Sequence, residues 1–166
     1  MIGIAYAQRM ARYNAWQNTS LYAVADVLSD DERKRSRGAF FDSIHATLNH
    51  LLWADQIWLS RFAGTPRPAG GIPQSVSLHD RWDDLKRART AFDATIIDWA
   101  DNLDPAWLEG DLTWYSGARQ REVTQPKFAL LIHLFNHQTH HRGQVHCLLT
   151  QAGLTAHVTD LAAMPA

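Results

Sequence analysis

Along four long stretches of the chain, apolar residues recur every three or four positions, the spacing of a helix with one buried face. The first stretch runs from Ile4 to Leu28. Tyr6, Met10, Tyr13, Gln17, Leu21, Val24 and Leu28 form its stripe. Ser29-Asp30-Asp31 ends it, and residues 30–41 read as a charged connection leading to Phe40 and Phe41. A second helix begins at Asp42 or Ser43 and runs to Phe62. Its apolar positions, from Ile44 and Leu48 to Trp58 and Phe62, cover more than one stripe, which predicts packing on most sides. Residues 63–76 are rich in Gly and Pro and predict a loop, or a flap over a site.

Ser77 is a suitable N-cap, with Asp80 three positions on, for a third helix from Leu78 to Asn102. Leu78, Trp82, Leu85, Phe92, Ile96 and Trp99 mark its buried face. Asp83, Lys86, Arg87 and Asp93 read as its solvated face. Between residues 104 and 124, Leu112–Tyr115 and Arg121–Thr124 have strand-like composition around Ser116-Gly117 and predict a short hairpin. Thr124 then caps a last helix with Pro126 in its first turn and Gly153 at its end. The tail, 154–166, has no helical period. The expected fold is all-α: a four-helix bundle with a short irregular or hairpin insertion before the last helix, forming one domain over residues 1–166.

Composition narrows the function classes. A net charge of −1 leaves no basic face for nucleic acid. Arg33-Lys34-Arg35 follows three acids and reads as a solvated loop. No stretch approaches the ~18 apolar residues of a membrane span. The N-terminus lacks the pattern of a signal peptide. With a single cysteine, Cys147, no intrachain disulfide framework exists, and a cytoplasmic setting is expected. Cys147 itself reads as a small buried core residue. Seven tryptophans fit a dense core or a subunit interface.

Candidate chemistry lies in the last helix. His133, His137, His140 and His141 fall within nine residues. At about 100° per residue, His133, His137 and His141 step along one stripe, with His140 and Gln144 on the same face. Two histidines at i, i+4 can converge on one metal ion. Spacing alone leaves His133/His137 and His137/His141 equivalent. A third ligand is needed, and His50 suits it, with Ala46 and Ala54 one turn away on either side. His45 lies about 140° around the helix from His50 and cannot easily share its site. The zinc-protease pattern is absent, since no Glu lies between the paired histidines. The plainer reading is a hydrogen-bonded histidine seam between helices. Three imidazoles suit Zn or Ni first, then Mn, Co or Fe(II).

His137-Gln-Thr-His-His141-Arg-Gly-Gln, with Leu48-Asn-His50-Leu-Leu-Trp-Ala-Asp55 and Ala11-Arg-Tyr-Asn-Ala-Trp16 upstream, resembles the DinB/YfiT-like family of small four-helix-bundle metalloproteins. The resemblance extends over nearly the whole chain. It implies a metal triad of His50, His137 and His141, thiol-S-transferase or hydrolase activity, a stress or damage response for some members, and homodimers. His140 and Arg142 are the candidate catalytic residues around the triad: His140 as a proton shuttle, Arg142 as an anchor for an anionic substrate or the partner of a carboxylate. Tyr13 and Asn14 could reach the same end. Asp55 could orient a ligand imidazole, but it points about 140° away from His50.

The reading expected first is a metal-dependent enzyme. It would transfer a low-molecular-weight thiol to an electrophile, or hydrolyse a small substrate. The rival is a non-catalytic metal-binding homodimer with a structural or sensing role, in which His140 could close the coordination sphere.

Overall fold

The computed structural model describes residues 2–165. Its helices are α1 (Ile4–Asp26), α2 (Asp30–Lys34), α3 (Ile44–Ala63), α4 (Trp82–Asp101) and α5 (Lys127–Gln151). An antiparallel hairpin, β1 (Asp111–Ser116) and β2 (Arg121–Pro126), precedes α5. Short 3₁₀ segments lie at Ile72–Ser77, Pro105–Leu108 and Leu161–Ala163. Among the described residues no helix is long and apolar enough to cross a membrane.

The four long helices share one core. α1 lies against α4 and α5, and α3 against α5 and α4. In α1 the most buried stripe is Ala7, Ala11, Asn14, Asn18, Leu21 and Ala25, one position round from the expected one. Alanine there lets the neighbouring helices approach closely. In α3 every residue from Thr47 to Asp55 is buried, as its broad apolar coverage predicts. The core divides into two apolar ends. One holds Leu59, Phe62, Ile96, Leu131, Leu134 and Phe135; the other holds Leu21, Ile44, Leu48, Leu52, Leu85 and Val145.

Between them runs a polar layer with a contribution from each long helix. Arg89 bonds Asp55 at 2.7 Å and Asp93 at 2.7 Å. Asn14 and Asn18 donate to Asp93, and Gln138 donates to the second oxygen of Asp55 at 3.0 Å. Arg142 donates to Asn14. Two arginines and two aspartates balance, which lets charge sit this deep. Burial pushes both carboxyls up, and Arg89 opposes that shift in each.

Several boundaries differ from expectation. α4 starts at Trp82, four residues late, because the buried amide of Asn49 holds the backbone of His79. It accepts from His79 N–H at 2.7 Å and donates to its carbonyl at 3.2 Å, keeping this segment out of the helix. Ser77 is therefore no cap for α4. Thr124 does not cap α5: it lies in β2, and its hydroxyl pairs with that of Thr113 across the hairpin at 2.8 Å. Pro126 takes the capping position of α5 rather than its first turn. Residues 30–34 form a helix capped by Ser29, and its Arg33 is buried, bonded to the carbonyls of Ala25 in α1 and of Leu28 just beyond it. Asp93, expected in solvent, is buried, and Cys147, expected in the core, is exposed. The tail is irregular apart from one 3₁₀ turn and is tied to α1 by Tyr13 and Gln17, which donate to the carbonyls of Thr159 and Val158.

Candidate metal centre

The polar layer sets how α5 is rotated, and that rotation builds the site. Gln138 and Arg142 face the interior. Their predecessors His137 and His141 therefore face α3 and the loop that follows it. His50 comes from α3 to meet them. One donor atom from each histidine lies within 4.8 Å of the other two. His137 Nε2 and His141 Nε2 are 3.1 Å apart. Donors in a tetrahedral site with 2.0–2.1 Å bonds stand roughly 3.3 Å apart, so this pair already has the spacing of ligands to one ion. Of the two pairs that spacing left open, the geometry groups His137 with His141. His133 stands apart, packed edge-on against Trp58 with ring centroids 5.1 Å apart.

Two of the three rings are held in the tautomer a metal needs. Ser75 donates its own proton to the Ile72 carbonyl at 2.6 Å, so its oxygen accepts from His50 Nδ1–H at 2.7 Å. Gln144 Oε1 accepts from His141 Nδ1–H at 2.7 Å. Both rings are left with a bare Nε2, the arrangement that outer-shell partners enforce around bound metals. A proton on His137 Nε2 would satisfy only one neighbour, whereas a cation satisfies all three lone pairs. The donor set therefore fits a divalent ion. His137 Nδ1 is buried without a partner.

Electrostatics agree. Burial lowers His50 to about 4 and His137 to about 3, and the nearby His141 contributes in both cases. His141 is lowered by burial too, against the pull of Gln144. All three rings are neutral at pH 7, the form that ligates.

The remaining candidates are placed as follows. His140 is exposed and touches Gln144 Nε2 at 3.3 Å, outside the three-histidine group. Arg142 points into the polar layer, over the Tyr13 ring, so neither it nor Tyr13 and Asn14 reaches the triad. Asp55 serves Arg89 and Gln138 rather than an imidazole. His45 packs near Trp82. Two contacts escaped the sequence reading. Ser75 lies in the Gly/Pro-rich segment with nothing local to mark it. Phe41 covers His50 and His141, with ring centroids 4.0 and 5.5 Å away.

A cavity of about 530 Å³ opens on His50 and His137. Trp53 and Trp58 of α3 wall it on one side, Trp114 of the hairpin on another, and Ile72 and Pro73 of the loop on a third. The segment expected as a loop or flap thus forms a wall and also supplies Ser75. Trp53 Nε1 fastens it by donating to the Ala69 carbonyl at 3.0 Å.

Fold and site together define a helical protein whose three clustered imidazoles could hold one metal ion within reach of a small molecule. The chain belongs to the DinB family, whose profile matches residues 4–166. It is similar to Protein DinB of Bacillus subtilis (strain 168), with 23% identity over 163 residues that span 93% of this chain and 91% of the relative. It is also similar to the crystal structure of a DinB-like protein from Bacillus cereus ATCC 10987, with a TM-score of 0.64 over 86% of this chain and 89% of that one. At 20% identity that likeness is one of fold.

Proposed function

We propose that this chain is a four-helix-bundle metalloenzyme of the DinB kind, with His50, His137 and His141 as ligands to one divalent ion, Zn or Ni in first place. The observation that carries the reading is the set of three clustered imidazoles, two of them fixed by Ser75 and Gln144, with His50 and His137 opening on a cavity. A bound ion there supplies Lewis acidity, lowering the pKa of a thiol or a water that reaches it.

The chain's own residues do the rest. The tryptophan walls exclude water and hold an apolar body. No carboxylate lines the cavity among the described residues, so no acid group is placed as a general base for hydrolysis. This favours transfer of a low-molecular-weight thiol: the S–H proton is lost, a C–S bond forms, and the electrophile's leaving group departs with the bonding pair. His133, which also lines the cavity, would relay that proton to solvent. His140 lies outside the group, which weighs against the rival in which it completes a closed structural site. The homodimer and the cytoplasmic setting remain part of the proposal.

The test is turnover by zinc- and nickel-loaded protein. One panel pairs small thiols with chloroaromatic and epoxide electrophiles; the other holds esters and amides. Thiol transfer that disappears in His137→Ala is expected. Loaded protein inert on both panels would overturn the enzymatic reading.

A further inference from the structure

Two arginines line the same cavity, and among the described residues neither forms an ion pair with an acid. Arg61, on the last turn of α3, sits over Trp58, 4.5 Å from its ring centroid and 5.5 Å from that of Trp114. Arg67 comes from the loop. No carboxylate lines the cavity among the described residues, and the charge that perturbs Arg61 is that of Arg67. Burial comes first and this like charge second in lowering Arg61 to about 10. A half-buried guanidinium has five donors and no acceptor of its own. With a second cation beside it, such a guanidinium is best answered by an anion that enters the cavity. By contrast, Arg12 forks onto Asp101, and Arg37 pairs with Glu32 at 2.6 Å. Around the pair, the lining is aromatic and aliphatic, with Trp53, Trp58, Trp114 and Ile57.

We infer that the cavity binds a small carboxylate with a flat apolar body, its acid group held by Arg61 and Arg67 and its body laid along the tryptophans. A planar carboxylate matches the in-plane fork of a guanidinium, and Trp58 lies beneath that of Arg61. The far end of such a ligand lies toward His133 and the triad, since Trp58 bridges Arg61 and His133. That this end reacts rests on the enzymatic reading above; the contact with the acid group needs no metal. Arg61 and Arg67 are thus specificity-determining residues of the site.

The experiment compares 2-naphthoate with its neutral isostere 2-naphthamide by calorimetry, on metal-free and on zinc-loaded protein. In metal-free wild type, naphthoate binds about tenfold or more tighter than the amide, and added salt narrows the gap. Arg61→Gln removes the preference, and Arg67→Gln, on an exposed loop where folding is not at risk, reduces it. Arg12→Gln leaves it intact. Equal affinity for the two probes, no binding of either at millimolar concentration, or a preference that survives both cavity variants would overturn the inference. So would a preference seen only with zinc present, because the acid would then be going to the ion; that result leaves the metal site standing. Conversely, the preference in a protein that takes up no zinc upholds the anion site and removes the metalloenzyme reading.

Discussion

Removing the Ser75 hydroxyl isolates the one contact that ties the loop to the triad. Ser75 is fully buried, and its oxygen accepts a hydrogen bond from His50 Nδ1–H while its hydroxyl donates to the Ile72 carbonyl. In Ser75→Ala both partners lose a bond, and the buried His50 Nδ1–H is left without its acceptor. A buried donor left unsatisfied costs about 1–3 kcal/mol, so the metal-free protein should unfold at correspondingly lower urea. The ring is also freed to turn and to exchange tautomers, and loss of such an outer-shell partner lowers metal affinity by roughly 10–100-fold. Gln144→Ala provides the comparison. It removes the same kind of contact from His141, but Gln144 is only half-buried and water can stand in, so its effect should be the smaller one. The assay is zinc competition against a chromophoric chelator, with a urea titration on the same samples. Zinc affinity in Ser75→Ala within about twofold of wild type would refute the claim that this bond prepares His50 as a ligand.

Acid should weaken the metal-free fold through the same histidines. The folded-state values of His50, about 4, and His137, about 3, lie below the ordinary 6.5, so the unfolded chain binds more protons. The stability they lend is complete above pH 6.5 and is lost as pH falls from there toward these folded values. By pH 5 each should have cost roughly 1–2 kcal/mol, and denaturant midpoints that stay level from pH 7.5 to 5 would contradict this. Asp55→Ala should destabilise by about 3–5 kcal/mol by stripping Arg89 of a partner, yet leave zinc binding in whatever protein folds. Loss of zinc at full stability would mean that Asp55 acts on the triad directly. Cys147, exposed near the end of α5, should react with an aromatic disulfide reagent in the native state without displacing zinc; protection until unfolding would contradict its placement.

What the sequence disclosed follows from the range of the interactions involved. The four long helices were legible because each carries its own period. A histidine pair on α5 is legible because i, i+4 spacing is local, but spacing leaves His133/His137 and His137/His141 equivalent; resemblance alone selects the second pair, and His50 is marked only by its small neighbours and by resemblance. Of the polar layer, Asp93 reads as solvated because charged residues on an amphipathic helix usually are. Yet Arg89 and Asp93 share the face of Leu85, Phe92 and Ile96, so the period marked them as buried. The start of α4 depended on Asn49 reaching across 30 residues to His79, and the fixing of His50 depended on Ser75, 25 residues away. Such contacts leave no trace in a window of neighbouring residues. Cys147 was misplaced because composition gives a cysteine's average environment, not the rotation of its helix.

The central claim is that His50, His137 and His141 act together on one ion. The direct measurement is elemental analysis of protein purified without an affinity tag, wild type beside His50→Ala, His137→Ala and His141→Ala, with circular dichroism to confirm folding. The account predicts about one divalent ion per chain in wild type, lost in each folded variant. Wild type that stays metal-free after reloading with Zn, Ni and Mn would contradict it, leaving the three histidines as a packed polar seam between α3 and α5.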